Sequence, residues 1–252
     1  MERSKFLSLA KDYFRQVQEL GETELYINPD LMRALHQKKS VPEFTKPGPV
    51  TATRRVAEPI TRKSIPKSPE LEKFYQEIKD CTKCRLHQNR TKFVFGVGNP
   101  KAEVMFVGEA PGRDEDLKGE PFVGKAGQLL DKILASIGFS REDVYIANMV
   151  KCRPPENRAP LPDEMETCHP YLLKQIELIQ PKIICCLGRI SGQFLLSTKE
   201  ALGKLRGKIH DYKGIKLMVT YHPAALLRYP EYKKETWEDM KLLKKTYEEL
   251  RG

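Results

Sequence analysis

The chain has no apolar run approaching the roughly 18 residues that a membrane-spanning helix needs. Its first 30 residues are charged throughout and lack the apolar core of a signal peptide. These two absences exclude a membrane or secreted protein as the starting expectation and favour the cytoplasm. Internal repeats are also missing, which argues against a solenoid. Acid is scarce relative to base: 34 Asp and Glu against 44 Lys and Arg in 252 residues leave a net charge of +10. That excess favours a polyanionic partner, nucleic acid first, through long-range attraction and counterion release. The plain alternative is a basic surface with no specific ligand. Cysteine is sparse too; six thiols in a reducing compartment make a poor disulfide framework, which leaves metal binding or simple burial. At this length one α/β domain with an appendage is expected, rather than two large domains.

The appendage comes first. Residues 4–20 carry apolar side chains at near-helical spacing, and Gly21 supplies a stop, so residues 1–35 read as a helical extension. Residues 36–68 are rich in Pro, Lys and Arg without apolar periodicity, the pattern of a flexible basic linker. Thirteen basic and eight acidic side chains in residues 1–68 leave +5, half of the total excess. This segment is either an arm that tethers DNA or docks on a replication or repair protein, or a solvated linker.

From residue 69 to 252 the pattern changes to alternating strand and helix. The runs 103–108, 143–150 and 182–188 are short and almost continuously apolar, as strands buried on both faces of a parallel sheet must be. Helical patterns over 126–138 and 162–179 lie between them, the second opened by Pro162 and Asp163. Residues 207–223 read as a hairpin turning at Lys213–Gly214. A last helix over about 231–250 puts Trp237, Met240, Leu243, Tyr247 and Leu250 on one face. The expected fold is a three-layer α/β/α sandwich around a mostly parallel sheet, with ligands beyond the carboxyl ends of its strands.

Cys81 and Cys84 form a C-x2-C pair, and Cys152 and Cys168 follow with 15 residues between them. A local pair joined by two distant thiolates suits either tetrahedral zinc or an iron-sulfur cluster, and four thiolates alone do not choose. Cys185 and Cys186 sit inside an apolar run and read as buried thiols. One stretch runs against the overall charge: residues 107–124, "VGEAPGRDEDLKGEPFVG", concentrate five carboxylates and four glycines just after the first strand.

Taken with "NMVKCRPPENR" after the second strand, "HPAALLR" after the last one and the spacing of the four cysteines, this loop resembles the family 4 uracil-DNA glycosylases over about residues 70–250. Residues 1–68 fall outside the resemblance. The resemblance implies a uracil-DNA glycosylase-like fold and a structural [4Fe-4S] cluster on Cys81, Cys84, Cys152 and Cys168. It also implies a monofunctional enzyme that excises uracil from DNA without a divalent cation and leaves an abasic site for base excision repair. A family 5-like glycosylase of broader base range is the nearest alternative; its first loop usually lacks a Glu where Glu109 stands. A non-catalytic, metal-stapled DNA-binding module is the other. Monomer is the default state.

The resemblance also assigns roles. A base inside a duplex is out of reach and must be flipped or met in a single strand. Phe122 is placed to stack on the flipped uracil, and Asn148 offers the donor and acceptor pair that suits the uracil O4 and N3-H edge. His222 ends the last strand, where a ring N-H reaches uracil O2 as negative charge develops. Gly108 and Gly112 let the backbone approach the ligand. Ala110 stands where better-known uracil-DNA glycosylases carry a water-orienting Asp. Glu109 is therefore the candidate for positioning water or stabilising the sugar cation, with Asn157 as its orienting partner. Glu115 is expected beside uracil C5, excluding the thymine methyl, while Asp114, Asp116 and Glu120 read as solvated loop or helix-start charges. Leu226, Leu227 and Arg228 resemble the segment that enters the duplex, one leucine as the wedge and Arg on phosphate. Ser191, at a helix start, is expected to hold a phosphate.

Overall fold

A computed structural model of the chain describes residues 68–252. The helix expected over 4–20 and the linker up to residue 67 lie outside the described residues. The domain opens with helix α1 (Pro69–Ile78), whose N-cap Ser68 accepts the Leu71 N–H through its hydroxyl. Strands β1 (Val97–Gly98) and β2 (Val104–Gly108) follow, then α2 (Arg113–Lys118), α3 (Lys125–Ser136), β3 (Tyr145–Asn148) and α4 (Pro162–Ile179). The chain continues through β4 (Ile183–Leu187), α5 (Arg189–Leu195), α6 (Leu202–Leu205), β5 (Ile209–Tyr212) and β6 (Ile215–Thr220), and ends with α7 (Pro223–Arg228) and α8 (Lys233–Glu249).

The six strands form one sheet in the order β1-β3-β2-β4-β6-β5. The four central strands are parallel and the two edges antiparallel. Because side chains alternate along a strand, each central strand feeds two cores. Met105, Val107, Ala147, Ile184, Cys186 and Val219 pack under α4, α5 and α6 with Leu172, Ile176, Leu195 and Leu205. Phe106, Ile146, Cys185 and Met218 face Leu130 and Leu134 of α3 and Met240 and Leu243 of α8. This is the three-layer α/β/α sandwich, and burial on both faces explains why the strands read as continuous apolar runs. The β5–β6 hairpin turns at Lys213 and Gly214, with φ of 53° and 84°, the paired left-handed conformation of a two-residue type I′ turn.

The last helix differs from the sequence expectation at its edges. Met240 and Leu243 are buried and Tyr247 packs on Phe139, but Trp237 and Leu250 are exposed. The inward face runs instead through Thr236 and Asp239, two polar residues that a search for apolar periodicity passes over.

The parallel register aligns the strand ends. Gly108 pairs with Asn148 and Leu187 with Thr220, so the segments starting at Glu109, Met149, Gly188 and Tyr221 leave the sheet at one edge. Backbone pairing continues past the strands, with the Met149 and Val150 N–H groups donating to Gly108 and Glu109 carbonyls at 3.0 and 3.2 Å. The loops beyond the strand ends therefore start from a rigid rim.

Candidate functional site

At the centre of this rim Gly108, Phe122, Asn148 and His222 meet. A Cβ on Gly108 would lie 2.4 Å from Asn148 Oδ1 and 2.6 Å from Phe122 Cζ, so glycine is what lets these two side chains close over the strand end. Asn148 is 2 % exposed, and its Oδ1 has no hydrogen-bond partner among the described residues. A buried acceptor left unmade costs about 1–3 kcal/mol. A ligand N–H arriving there relieves that cost.

Phe122 is 5 % exposed and holds φ at 53°, a left-handed conformation that an aromatic residue rarely adopts. Such strain costs on the order of 1–3 kcal/mol and persists only where the surroundings enforce it. Here they do. Arg141 donates from Nη2 to the Pro121 carbonyl at 2.7 Å and from Nη1 to the Phe122 carbonyl at 3.0 Å. Glu115 Oε1 accepts the N–H groups of Val123 and Gly124 at 2.9 and 3.0 Å. Helix α3 packs so tightly on this turn that a Cβ on Gly127 would stand 1.8 Å from the Phe122 carbonyl oxygen.

The His222 ring lies 5.4 Å from the Phe122 ring, centroid to centroid, at an interplanar angle of 33°. As N-cap of α7 its Nδ1 accepts the Ala224 N–H at 3.1 Å, which leaves the ring proton on Nε2. Burial, with the Arg228 charge adding to it, pulls its pKa down to about 4. The ring is thus a neutral donor at physiological pH. Two residues upstream, Thr220 donates to Asp239 Oδ2 at 2.7 Å, and Arg206 grips the same buried carboxylate with Nε at 3.1 Å and Nη2 at 2.9 Å. This knot ties the end of β6 to α8.

Glu109 is half-buried beside the Gly108 turn, and burial pushes its pKa up to about 7, against the Arg189 charge that pulls it down. Ala110 brings no carboxylate; it packs against the apolar layer around Val150 and Cys152.

Several expected residues stand elsewhere. Asn157 is exposed, and its Oδ1 accepts from Arg153 Nε at 2.7 Å. Ser191 is fully buried and donates to the Gly188 carbonyl at 3.2 Å, because it lies on the inner side of α5; its hydroxyl is not offered to a phosphate. Asp116 is not solvated: it is 2 % exposed and accepts the Thr91 and Lys92 N–H groups at 2.9 and 3.4 Å. Glu115 is occupied by the backbone of the Phe122 turn. Leu226 is buried at 1 % exposure while Leu227 is 47 % exposed beside exposed Arg228. Gly112 caps α2 next to Glu115.

The four cysteines gather in a separate apolar layer with Ile78, Leu86, Phe93 and Tyr171, and all are free thiols. Tyr171 donates to Cys81 Sγ at 3.1 Å and Arg90 to Cys152 Sγ at 3.3 Å. Burial pushes the Cys168 thiol up to about 12, opposed by the nearby Lys151 charge. The donors and cations beside these sulfurs offset part of what burial costs a thiolate. Among the described residues no three His, Cys, Asp or Glu side chains are grouped to ligate a single ion. Four thiols in one layer are a donor set that an iron-sulfur cluster takes. Glu164 braces the layer: it takes both arms of Arg158 at 2.7 and 2.8 Å and the Leu161 N–H at 2.8 Å, and Arg85 reaches it and Asp163.

Between the two regions lies Lys151, fully buried. Its Nζ donates to the Asn148 carbonyl at 2.9 Å and to Gln175 Oε1 at 2.6 Å, while Gln175 donates to the Phe95 carbonyl and the Tyr145 hydroxyl. Sequence reasoning missed Lys151, Arg141, Asp239 and the inward turn of Asp116. Each draws its role from at least one partner 19 or more residues away along the chain.

The model of the uracil DNA glycosylase superfamily matches residues 95–241. A type-4 uracil-DNA glycosylase of Archaeoglobus fulgidus is 51 % identical over 179 residues, covering 68 % of this chain and 90 % of its own. One from Saccharolobus solfataricus is 49 % identical over 183 residues, 69 % of this chain and 85 % of its own. A type-5 uracil-DNA glycosylase of Pyrobaculum aerophilum is 32 % identical over 146 residues, 51 % of this chain and 64 % of its own.

Proposed function

Since the chain belongs to the type-4 uracil-DNA glycosylases, we propose that it hydrolyses the N-glycosidic bond of uracil in DNA through the pocket around Gly108, Phe122, Asn148 and His222. The observation that carries this reading is the buried, unpartnered Asn148 Oδ1 with Phe122 closed beside it. Uracil supplies an N3–H donor for that oxygen and an O4 acceptor for the amide nitrogen. Cytosine reverses both and leaves a buried polar group unsatisfied, which sites of this kind reject strongly. The extended substrate is DNA, whose base must leave the stack to reach this pocket.

In the reaction the C1′–N1 bond breaks with its electron pair leaving on uracil, water oxygen adds to C1′, and the proton that water gives up passes by way of solvent to the departing uracil anion. His222 Nε2–H is the donor to O2 as charge builds there. A preorganised, neutral donor stabilises that charge without reorganising, and loss of one such donor typically costs about 2.7–4 kcal/mol. Glu109, as a carboxylate, orients the water and offsets the positive charge on the sugar. The exposed Leu227 fills the space of the flipped nucleotide, Arg228 meets phosphate, and buried Leu226 anchors the wedge helix. The acidic first loop with Glu109 favours type 4 over a type-5 reading.

We assign a [4Fe-4S] cluster to Cys81, Cys84, Cys152 and Cys168; the converging thiols and their N–H, O–H and cationic neighbours support it. Bound there, it supplies a covalent staple between the loop after α1, the loop after β3 and helix α4. Residues 69–252 form the catalytic domain in this reading, with 1–35 a helical extension and 36–68 a basic linker that docks on a replication or repair partner. The protein acts as a monomer in the cytoplasm; among the described residues no helix is long and apolar enough to cross a membrane.

The test is excision from matched oligonucleotides carrying U:G, U:A, single-stranded U, T:G or C:G, with EDTA present and alkali to cut abasic sites. Cleavage at uracil alone is expected. Equal cleavage at cytosine, or DNA binding with no cleavage at all, would overturn the Asn148 and Glu109 assignments.

A further inference from the structure

The stacking ring of Phe122 sits on a turn outside the strands and helices, packed against α3, and its backbone is held at both flanking peptide planes. The Pro121–Phe122 peptide is gripped at its carbonyl by Arg141 Nη2, 2.7 Å away. The Phe122–Val123 peptide is gripped at both ends, its carbonyl by Arg141 Nη1 at 3.0 Å and its N–H by Glu115 Oε1 at 2.9 Å. A flip of the Pro121–Phe122 peptide, the simplest way to relieve a φ of 53°, would break the Arg141 bond to the Pro121 carbonyl, and a flip of the next peptide would break the other two. The guanidinium is itself fixed by Asp131 on α3, with Nη1 to Oδ1 at 2.9 Å, and is half-buried, so water competes weakly for it.

From this geometry we propose that Arg141 is a positioning residue for base recognition: with Glu115 it locks Phe122 in the left-handed conformation that presents the ring to the flipped base. The inference rests on the stacking role of Phe122. Arg141 touches no substrate. Its guanidinium fork matches two carbonyls in a way that a single ammonium does not. Removing it frees the turn to relax to negative φ, which carries the ring away from Asn148 and Gly108.

A double-mutant cycle separates this role from simple structural support. Single-turnover excision of uracil from a short single-stranded oligonucleotide is measured for the wild type, Arg141→Met, Phe122→Ala and the double variant. Melting temperature and affinity for abasic-site DNA are measured alongside. Phe122→Ala is expected to slow excision by about tenfold or more, the usual worth of stacking one base. Arg141→Met is expected to lose a similar factor in the wild-type background and less than about twofold when Phe122 is already Ala. Its affinity for abasic DNA, which holds no base, should change little.

Equal losses from Arg141→Met in both backgrounds would overturn the inference while leaving the stacking role intact. A Phe122→Ala protein with wild-type excision would overturn the stacking reading and the inference with it. Should Arg141→Met fail to melt cooperatively, Arg141→Lys serves in the same cycle. It keeps the charge but only one donor nitrogen in place of the fork, so an intermediate loss that vanishes in the Phe122→Ala background supports the inference, and one that persists refutes it.

Discussion

Glu109→Gln should abolish catalysis and, at the same time, make the protein more stable at alkaline pH. Burial raises the Glu109 carboxyl from 4.5 to about 7 in the folded protein. The folded state therefore holds this proton more tightly than the unfolded chain. The resulting stability is fully present below pH 4.5 and is lost as pH rises towards 7. With 1.36 kcal/mol for each pKa unit, the loss is about 1.4 kcal/mol at pH 5.5 and about 3.3 kcal/mol at pH 8. Glutamine has the same shape and no charge, so it escapes the loss at both values. The gain over wild type should then grow by about 2 kcal/mol from pH 5.5 to pH 8, or about 4–8 °C in melting temperature for a domain of this size.

The assay is thermal melting of wild type and Glu109→Gln across pH 5.5 to 8, paired with single-turnover excision. If the carboxylate is the working form, wild-type kcat/KM falls about tenfold per pH unit below about 7, and Arg189→Gln moves that limb to higher pH because the opposing charge is gone. A melting difference that does not change with pH would refute burial of an ionising Glu109. Wild-type excision by Glu109→Gln would refute its catalytic role.

Further outcomes follow from the same geometry. Gly108→Ala should fold yet lose excision by about a hundredfold or more, since its Cβ displaces Asn148 or Phe122 by about an ångström, and a circular-dichroism melt alongside the oligonucleotide assay checks both halves. Leu227→Ala should slow excision from duplex DNA more than from single strands with its melting temperature unchanged, whereas Leu226→Ala should destabilise the fold by about 2–5 kcal/mol. Asp239→Ala leaves the Arg206 guanidinium without its buried partner and should destabilise the fold by about 3–5 kcal/mol, read by denaturant unfolding.

What the sequence made legible is what depends on local physics. Helix α4 spans Pro162–Ile179, the range expected from its opening proline and its periodicity. The β5–β6 turn was legible because a Gly follows Lys213 between two apolar runs. The strands gave themselves away by burial on both faces. The misplaced residues share another property: their partners are long-range and their chemistry is ambiguous. A serine at a helix start reads as a phosphate ligand until burial turns its hydroxyl onto the Gly188 carbonyl. Asn157 reads as a partner of Glu109, and only the folded loop brings Arg153 to it. Arg141 and Lys151 look like surface cations, yet each holds a carbonyl next to a pocket residue.

The acid-rich loop in a basic protein has a physical reason that appears once its partners are known. Loops beyond a sheet edge leave backbone N–H groups without ladder partners, and buried N–H groups must find acceptors. Asp116 accepts two of them from Thr91 and Lys92, and Glu115 accepts two from Val123 and Gly124. Lysine or arginine in those places has no acceptor to offer. These two carboxylates therefore face inward and add little repulsion to an approaching phosphate backbone. Glu109 stands apart from this pair, half-buried beside the Gly108 turn with its charge only half-formed near neutral pH. Two of the loop's five acids thus build its scaffold, and the chemistry proposed for Glu109 and the phosphate contact proposed for Arg228 are left to side chains outside that backbone network.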